Sequence, residues 1–98
     1  MAADGTWDVT MDTPMGERKA KLALRSAAGK LEGTQSAEEG SAEIFDGTAN
    51  GNSVAWKLSI VQPMALTLEF TGTIDGDAMM GSVKLGMFGT SSFRATRA

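Results

Sequence analysis

The chain has no cysteine, no histidine and no tyrosine. Without Cys there is no disulfide, no thiolate nucleophile and no thiolate metal ligand, a composition that suits a reducing compartment. The loss of His as well removes the usual general base at neutral pH and a main ligand for zinc and haem. Catalysis would have to rest on carboxylates, Lys, Arg or Ser/Thr, and no cofactor is expected. No apolar run approaches the ~18 residues that a spanning helix needs, so no membrane role is expected. The start, Met1-Ala2-Ala3-Asp4, has neither a basic nor an apolar segment. It reads as a cytoplasmic chain, or as a mature fragment whose signal has been removed. Positive charge is short too: the net charge of -3 argues against nucleic acid, whose binding depends on neutralising phosphates. The local basic cluster Arg18, Lys19, Lys21 and Arg25, with Glu17 beside it, reads as a solvated strand face.

What is present points to one β domain spanning residues 1–98. Its hydrophobic fraction of 42% and charged fraction of 21% are those of an ordinary globular protein. Gly occurs 12 times, and between glycines apolar and polar residues alternate, the period-2 pattern of half-buried strands. Expected strands are Thr6 to Asp12, Glu17 to Ser26, Lys30 to Ser36, Ala42 to Ala49, Asn52 to Val61, Met64 to Ile74, Ala78 to Leu85 and Thr90 to Arg97. The fourth should bend or bulge at Asp46-Gly47. Ala37 to Ser41 is polar, with Ala and Glu that could form one helical turn. Asn50-Gly51 is the strongest hairpin signal, because both central residues of a type I′ turn need positive φ.

Short connections between successive strands favour a meander, and a meander with one apolar face hides both edges by closing on itself. The expected fold is therefore all-β, a single antiparallel up-and-down β-barrel of about eight strands. An open sandwich is the competing architecture. Leu31-Glu32-Gly33-Thr34 and Met79-Met80-Gly81-Ser82 each place an inward glycine after a turn, a repeated means of bending a strand sharply.

In such a meander alternate turns lie at the same end. Ala27-Ala28-Gly29, Asn50-Gly51 and Asp75-Gly76 share an end with both termini and are tight and polar. The opposite end holds Thr13 to Gly16, Ala37 to Gly40, Val61 to Met64 and Met87-Phe88. Apolar loop tips are costly to solvate, so Met15, Met64, Met87 and Phe88 suggest a mouth or partner contact there, or else side chains folded in to plug the barrel. Met79 and Met80 are adjacent, so one points inward and the other outward.

Gly5-Thr6-Trp7 on the first strand, with Arg97 at the end of the last, resembles the signature of the lipocalin and avidin superfamily of calycin-type barrels. The resemblance implies that the Trp7 indole packs against the Arg97 guanidinium and closes one end, while Arg94, of opposite phase, faces solvent. The chain is shorter than a lipocalin and lacks the cysteines and the helix that follows the barrel in many of them. Asp12-Thr13-Pro14-Met15-Gly16 and Phe70-Thr71-Gly72-Thr73-Ile74-Asp75-Gly76-Asp77 are similar to stretches of small bacterial barrel domains of unassigned function. Those domains occur alone or at the C-terminus of larger hydrolases, which implies contact with a larger catalytic domain as one role.

Two non-enzymatic functions follow. One is a binding module for a small apolar ligand at the open end, lined by Met11, Gln35, Trp56, Leu58, Met64, Leu66 and Phe93, with the Gln35 amide holding the ligand's polar end. The other is an accessory or homodimerising domain that meets another protein through Met15, Met87 and Phe88 or through an outer face. The carboxylates Asp12, Glu17, Glu38 and Glu43 read as solvated surface rather than as a catalytic pair. Asp75-Gly76-Asp77 offers too few oxygens for calcium.

Overall fold

The computed structural model describes residues 3–13, 16–37, 40–60, 65–86 and 89–98. Strands β1 (Gly5–Thr13), β2 (Gly16–Ala27), β3 (Lys30–Ala37), β4 (Gly40–Glu43), β5 (Phe45–Asn50), β6 (Ser53–Ile60), β7 (Leu66–Asp75), β8 (Ala78–Lys84) and β9 (Thr90–Arg97) form one antiparallel sheet. The sheet closes where β9 returns to β1, pairing Trp7 with Arg97 and Met11 with Phe93. Both β4 and β5 lie against β3 as halves of one bent strand. The architecture is therefore a closed eight-stranded up-and-down barrel, in which first and last strands pair with each other instead of standing as sheet edges. Among the described residues no helix is long and apolar enough to cross a membrane.

Alternation in the sequence becomes the inside and outside of the wall. Trp7, Val9 and Met11 of β1, Ala20, Leu22 and Leu24 of β2, Val54, Trp56 and Leu58 of β6, and Leu68, Phe70 and Ile74 of β7 are buried, while their neighbours face out. Met79 is buried and Met80 exposed, as alternation requires. Arg18 departs from the solvated face expected of its cluster: it is half-buried and in phase with Ala20 and Leu22. Lys21 and Arg25 do face outward, paired with Asp8 at 2.9 Å and Glu32 at 3.2 Å.

The bend in the fourth strand falls at the expected place. Ile44 separates β4 from β5, and the register with β6 slips between Phe45 and Thr48. Asp46 takes a φ of 50°, and Phe45 and Asp46 are both exposed. One extra residue thus shifts the inward phase from Ala42 and Ile44 to Gly47 and Ala49, as a bulge must.

Two local expectations are corrected. The hairpin near Asn50 turns through Gly51 and Asn52, because Asn50 pairs with Ser53. Only Gly51 has positive φ, at 62°, so the backbone follows type II′ rather than type I′. Glycine at the first turn position satisfies that need alone, and Asn50 is left to the ladder. The helical turn over Ala37 to Ser41 is not adopted by its described residues. Ala37 pairs with Gly40 and Ser36 with Ser41, since a few residues gain more from an existing strand edge than from an isolated helical turn.

Gly33 and Gly81 perform the same task in two places. A Cβ on Gly33 would run into the carbonyl oxygen of Ala23, and one on Gly81 into that of Thr71. Each strand approaches its neighbour more closely than any side chain allows, which gives the sharp coiling that closes a small barrel.

The end that holds the termini is shut. Trp7 is fully buried, its Nε1 donating to the carbonyl of Ala3 at 3.1 Å. The Arg97 guanidinium lies 4.3 Å from the indole centre and donates to the Asp4 carbonyl at 2.6 Å and the Asp77 carboxylate at 3.1 Å. Gly5 makes the approach possible, with a φ of 127° and a Cβ position only 2.9 Å from Arg97 Nη1.

Candidate functional site

With one end closed, the lumen divides into a shut half, an aromatic middle and a half that faces the other end. Phe70 on β7, Trp56 on β6 and Phe93 on β9 form the middle. Trp56 stacks on Phe70 at 4.9 Å with 10° between the planes, and Phe93 meets both edge-on, at 5.8 Å and 5.2 Å. Offset stacking and edge-to-face contact are the arrangements the ring quadrupoles favour, each pair adding roughly 0.5–1.5 kcal/mol beyond area burial. Trp56 and Phe93, both expected to line a ligand site, are thus committed to one another and form a floor across the barrel.

Met11, Gln35, Leu58 and Leu66 also point into the lumen, the first three buried and Leu66 half-buried, with Met11 directly across from Phe93. Leu22 and Ala42 flank Gln35 on the neighbouring strands, while Leu58 faces Leu68. Period-2 side-chain direction turns all four toward the lumen, since each belongs to the inward phase of its strand. Met64, Met15, Met87 and Phe88 lie outside the described residues, as does Glu38.

Two polar atoms in this apolar setting are unsatisfied. The Gln35 amide oxygen and the Trp56 indole nitrogen are both buried without a hydrogen-bond partner, on residues 6% and 1% exposed. One is an acceptor and the other a donor. A buried unpaired group costs roughly 1–3 kcal/mol, so the lumen retains polar atoms that a bound polar group or a water would satisfy. Sequence phase alone identifies Gln35, but nothing in the sequence shows that the Trp56 N–H lacks a partner.

Arg18 and Ser91 also belong to this half and were not anticipated as site residues. Both are half-buried and in the inward phase of β2 and β9 near the end opposite Trp7. The signal was present: counting back by two from Leu22 reaches Arg18, and from Phe93 reaches Ser91.

The carboxylates sit elsewhere. Arg94 bridges Asp12 at 3.5 Å and Glu17 at 3.4 Å on the outer wall, where all three side chains are about half exposed or more. Glu43 is exposed on β4. This geometry holds Asp12 and Glu17 as an exposed ion-pair network and directs neither into the lumen. No family model matches the chain, and no curated protein matches it. The inner face is accordingly read from its own chemistry: a largely apolar lining crossed by an aromatic cluster, with Gln35 Oε1 and Trp56 Nε1 as its buried unpartnered acceptor and donor among the described residues.

Proposed function

We propose that the protein is a non-enzymatic binding barrel of calycin type that takes a small, mostly apolar ligand bearing one polar group, through the end opposite Trp7 and Arg97. The observation that carries this reading is the pair of unpartnered atoms, Gln35 Oε1 and Trp56 Nε1, buried in a lumen whose lining is mainly apolar. A ligand hydroxyl can give a proton to the amide oxygen or a lone pair to the indole N–H, while its hydrocarbon meets Met11, Leu58 and Leu66. The kinship to lipocalin and avidin barrels rests on Gly5-x-Trp7 with Arg97, whose packed geometry is the one that signature implies.

Titration with a straight-chain alcohol such as dodecanol, followed by tryptophan emission, tests the reading. Trp7 lies at the shut end, so the response should come from Trp56 and saturate. Gln35→Leu removes the acceptor but keeps the volume, and should weaken the alcohol about five- to ten-fold, the worth of one neutral hydrogen bond. An emission spectrum unmoved by the alcohol in the wild-type protein would overturn the proposal. A second reading, contact with another protein through the outer wall, is favoured by Met80, a large apolar residue 62% exposed.

A further inference from the structure

The outer wall is divided by charge. Around β1–β3 it carries the pairs Asp8–Lys21 and Arg25–Glu32 and the bridge from Arg94 to Asp12 and Glu17. Across β5–β8 the middle of the wall is uncharged. There Thr48, Ala55, Thr71, Thr73, Met80 and Ser82 line a shallow groove of about 440 Å³, floored at Gly72 and Gly81.

One row of charges borders this groove on the side away from the shut end. Pairing sets its order. Asp46 of β5 bonds Lys57 of β6 at 3.6 Å, Lys57 pairs across the ladder with Glu69 of β7, and Glu69 with Lys84 of β8. The signs read minus, plus, minus, plus across four neighbouring strands. Among the described residues Glu69 and Lys84 take part in no ion pair. Reflected about the line between β6 and β7, every charge of this row falls on its opposite: Lys57 on Glu69, and Asp46 on Lys84.

We propose that this face is where a second copy of the chain docks, in a homodimer whose two-fold axis runs along the strands between β6 and β7. Such an axis lies in the interface plane and keeps the rows level. It puts Lys57 opposite Glu69 of the partner subunit and Asp46 opposite Lys84 of the partner subunit, and each pair occurs twice. The uncharged rows meet in the centre, and Met80 reaches across to the far wall of the groove, formed by Thr48 and Asn50. The face is self-complementary only in this orientation. A two-fold axis across the strands would instead set Glu69 against Asp75 of the partner subunit, since both project outward on β7 about equally far from Gly72. A different protein would need to carry the same alternating row by coincidence, whereas a second copy carries it necessarily.

The test is sedimentation equilibrium of the full chain with charge reversals on the outer wall. Wild type should associate, more weakly as salt is raised. Glu69→Lys turns two attractions into repulsions and should raise the dissociation constant about ten-fold or more. Adding Lys57→Glu makes the row minus, minus, plus, plus, which is again complementary under the same axis, so the double variant should recover association. Met80→Ser should also weaken the dimer, and unfolding curves should show that all variants fold. A wild-type monomer at millimolar concentration, or a dimer indifferent to Glu69→Lys, would overturn the proposal. So would a double variant no better than the single.

Discussion

The Arg97 guanidinium carbon sits over Trp7, 4.3 Å from the ring centre, while its Nη1 donates to the Asp4 carbonyl and its Nε to Asp77. A single side chain from the last strand therefore ties the first strand, the N-terminal segment and the β7–β8 turn together. Replacing it with Met keeps the aliphatic stem but loses the cation over the indole and leaves the part-buried carbonyl unbonded. Arg97→Met should lower unfolding free energy by about 2 kcal/mol, the sum of one cation–π contact and one charge-assisted bond. Arg97→Lys should recover only part of this, because an ammonium cannot lie flat on the ring and reach both acceptors. Urea unfolding of the three proteins measures the order.

Asp4 makes the same closure sensitive to pH. Its carboxylate accepts hydrogen bonds from the Ser26 hydroxyl and from the Ser26 backbone N–H at 2.8 Å, and these hold its pKa below the ordinary carboxylate value. The ionised form is favoured by folding, so the stabilisation is complete above the unfolded pKa, near roughly 4. It is lost as pH falls through that value to the lower folded one. Asp4→Asn should therefore be less stable than wild type at neutral pH, with the gap narrowing as the solution is acidified below about pH 4. A gap that stays constant on acidification would contradict this.

Ala28 is a place where the sequence is not the best one for its backbone. It opens the β2–β3 turn at a φ of 53° ahead of Gly29 at 80°, the left-handed pair that a type I′ hairpin demands. A Cβ there costs roughly 1 kcal/mol, which Asn and Gly largely avoid. Ala28→Asn should raise the unfolding free energy by about 0.5–1 kcal/mol in chemical denaturation. The side chain at this position is exposed, so the larger amide has room in solvent.

Most of the barrel was legible because a closed meander needs little beyond period-2 alternation and turn residues, and both are written plainly in β1, β6 and β7. The inward phase located Gln35, and Gly5-x-Trp7 with Arg97 anticipated the closed end. The failures share a cause. A turn type depends on which residue pairs first, and pairing Asn50 with Ser53 is a tertiary outcome that the Asn-Gly dipeptide does not encode. Arg18 was read with its charged neighbours, although strand phase outranks local charge in deciding direction. The stacking of Trp56 on Phe70, and with it the stranded indole N–H, depends on how three strands converge and leaves no trace in spacing. The charge row of Asp46, Lys57, Glu69 and Lys84 was likewise invisible until cross-strand register brought it into line.

Gly33 and Gly81 offer the sharpest test of how the barrel closes. Neither has a positive φ, so alanine is compatible with the backbone dihedrals, and any penalty comes from space alone. The obstacle in each case is a backbone carbonyl oxygen of the paired strand, Ala23 for Gly33 and Thr71 for Gly81. A backbone atom fixed in a ladder cannot rotate away as a side chain does. Gly33→Ala and Gly81→Ala should each cost about 3 kcal/mol, at the upper end for overpacking. Ser82→Ala, beside Gly81 but on the outer face, should stay within about 0.5 kcal/mol of wild type. If both glycine variants unfolded at the wild-type urea midpoint, the close strand approach would not be what bends the wall, and the coiling would have to come from the β4–β5 bulge instead.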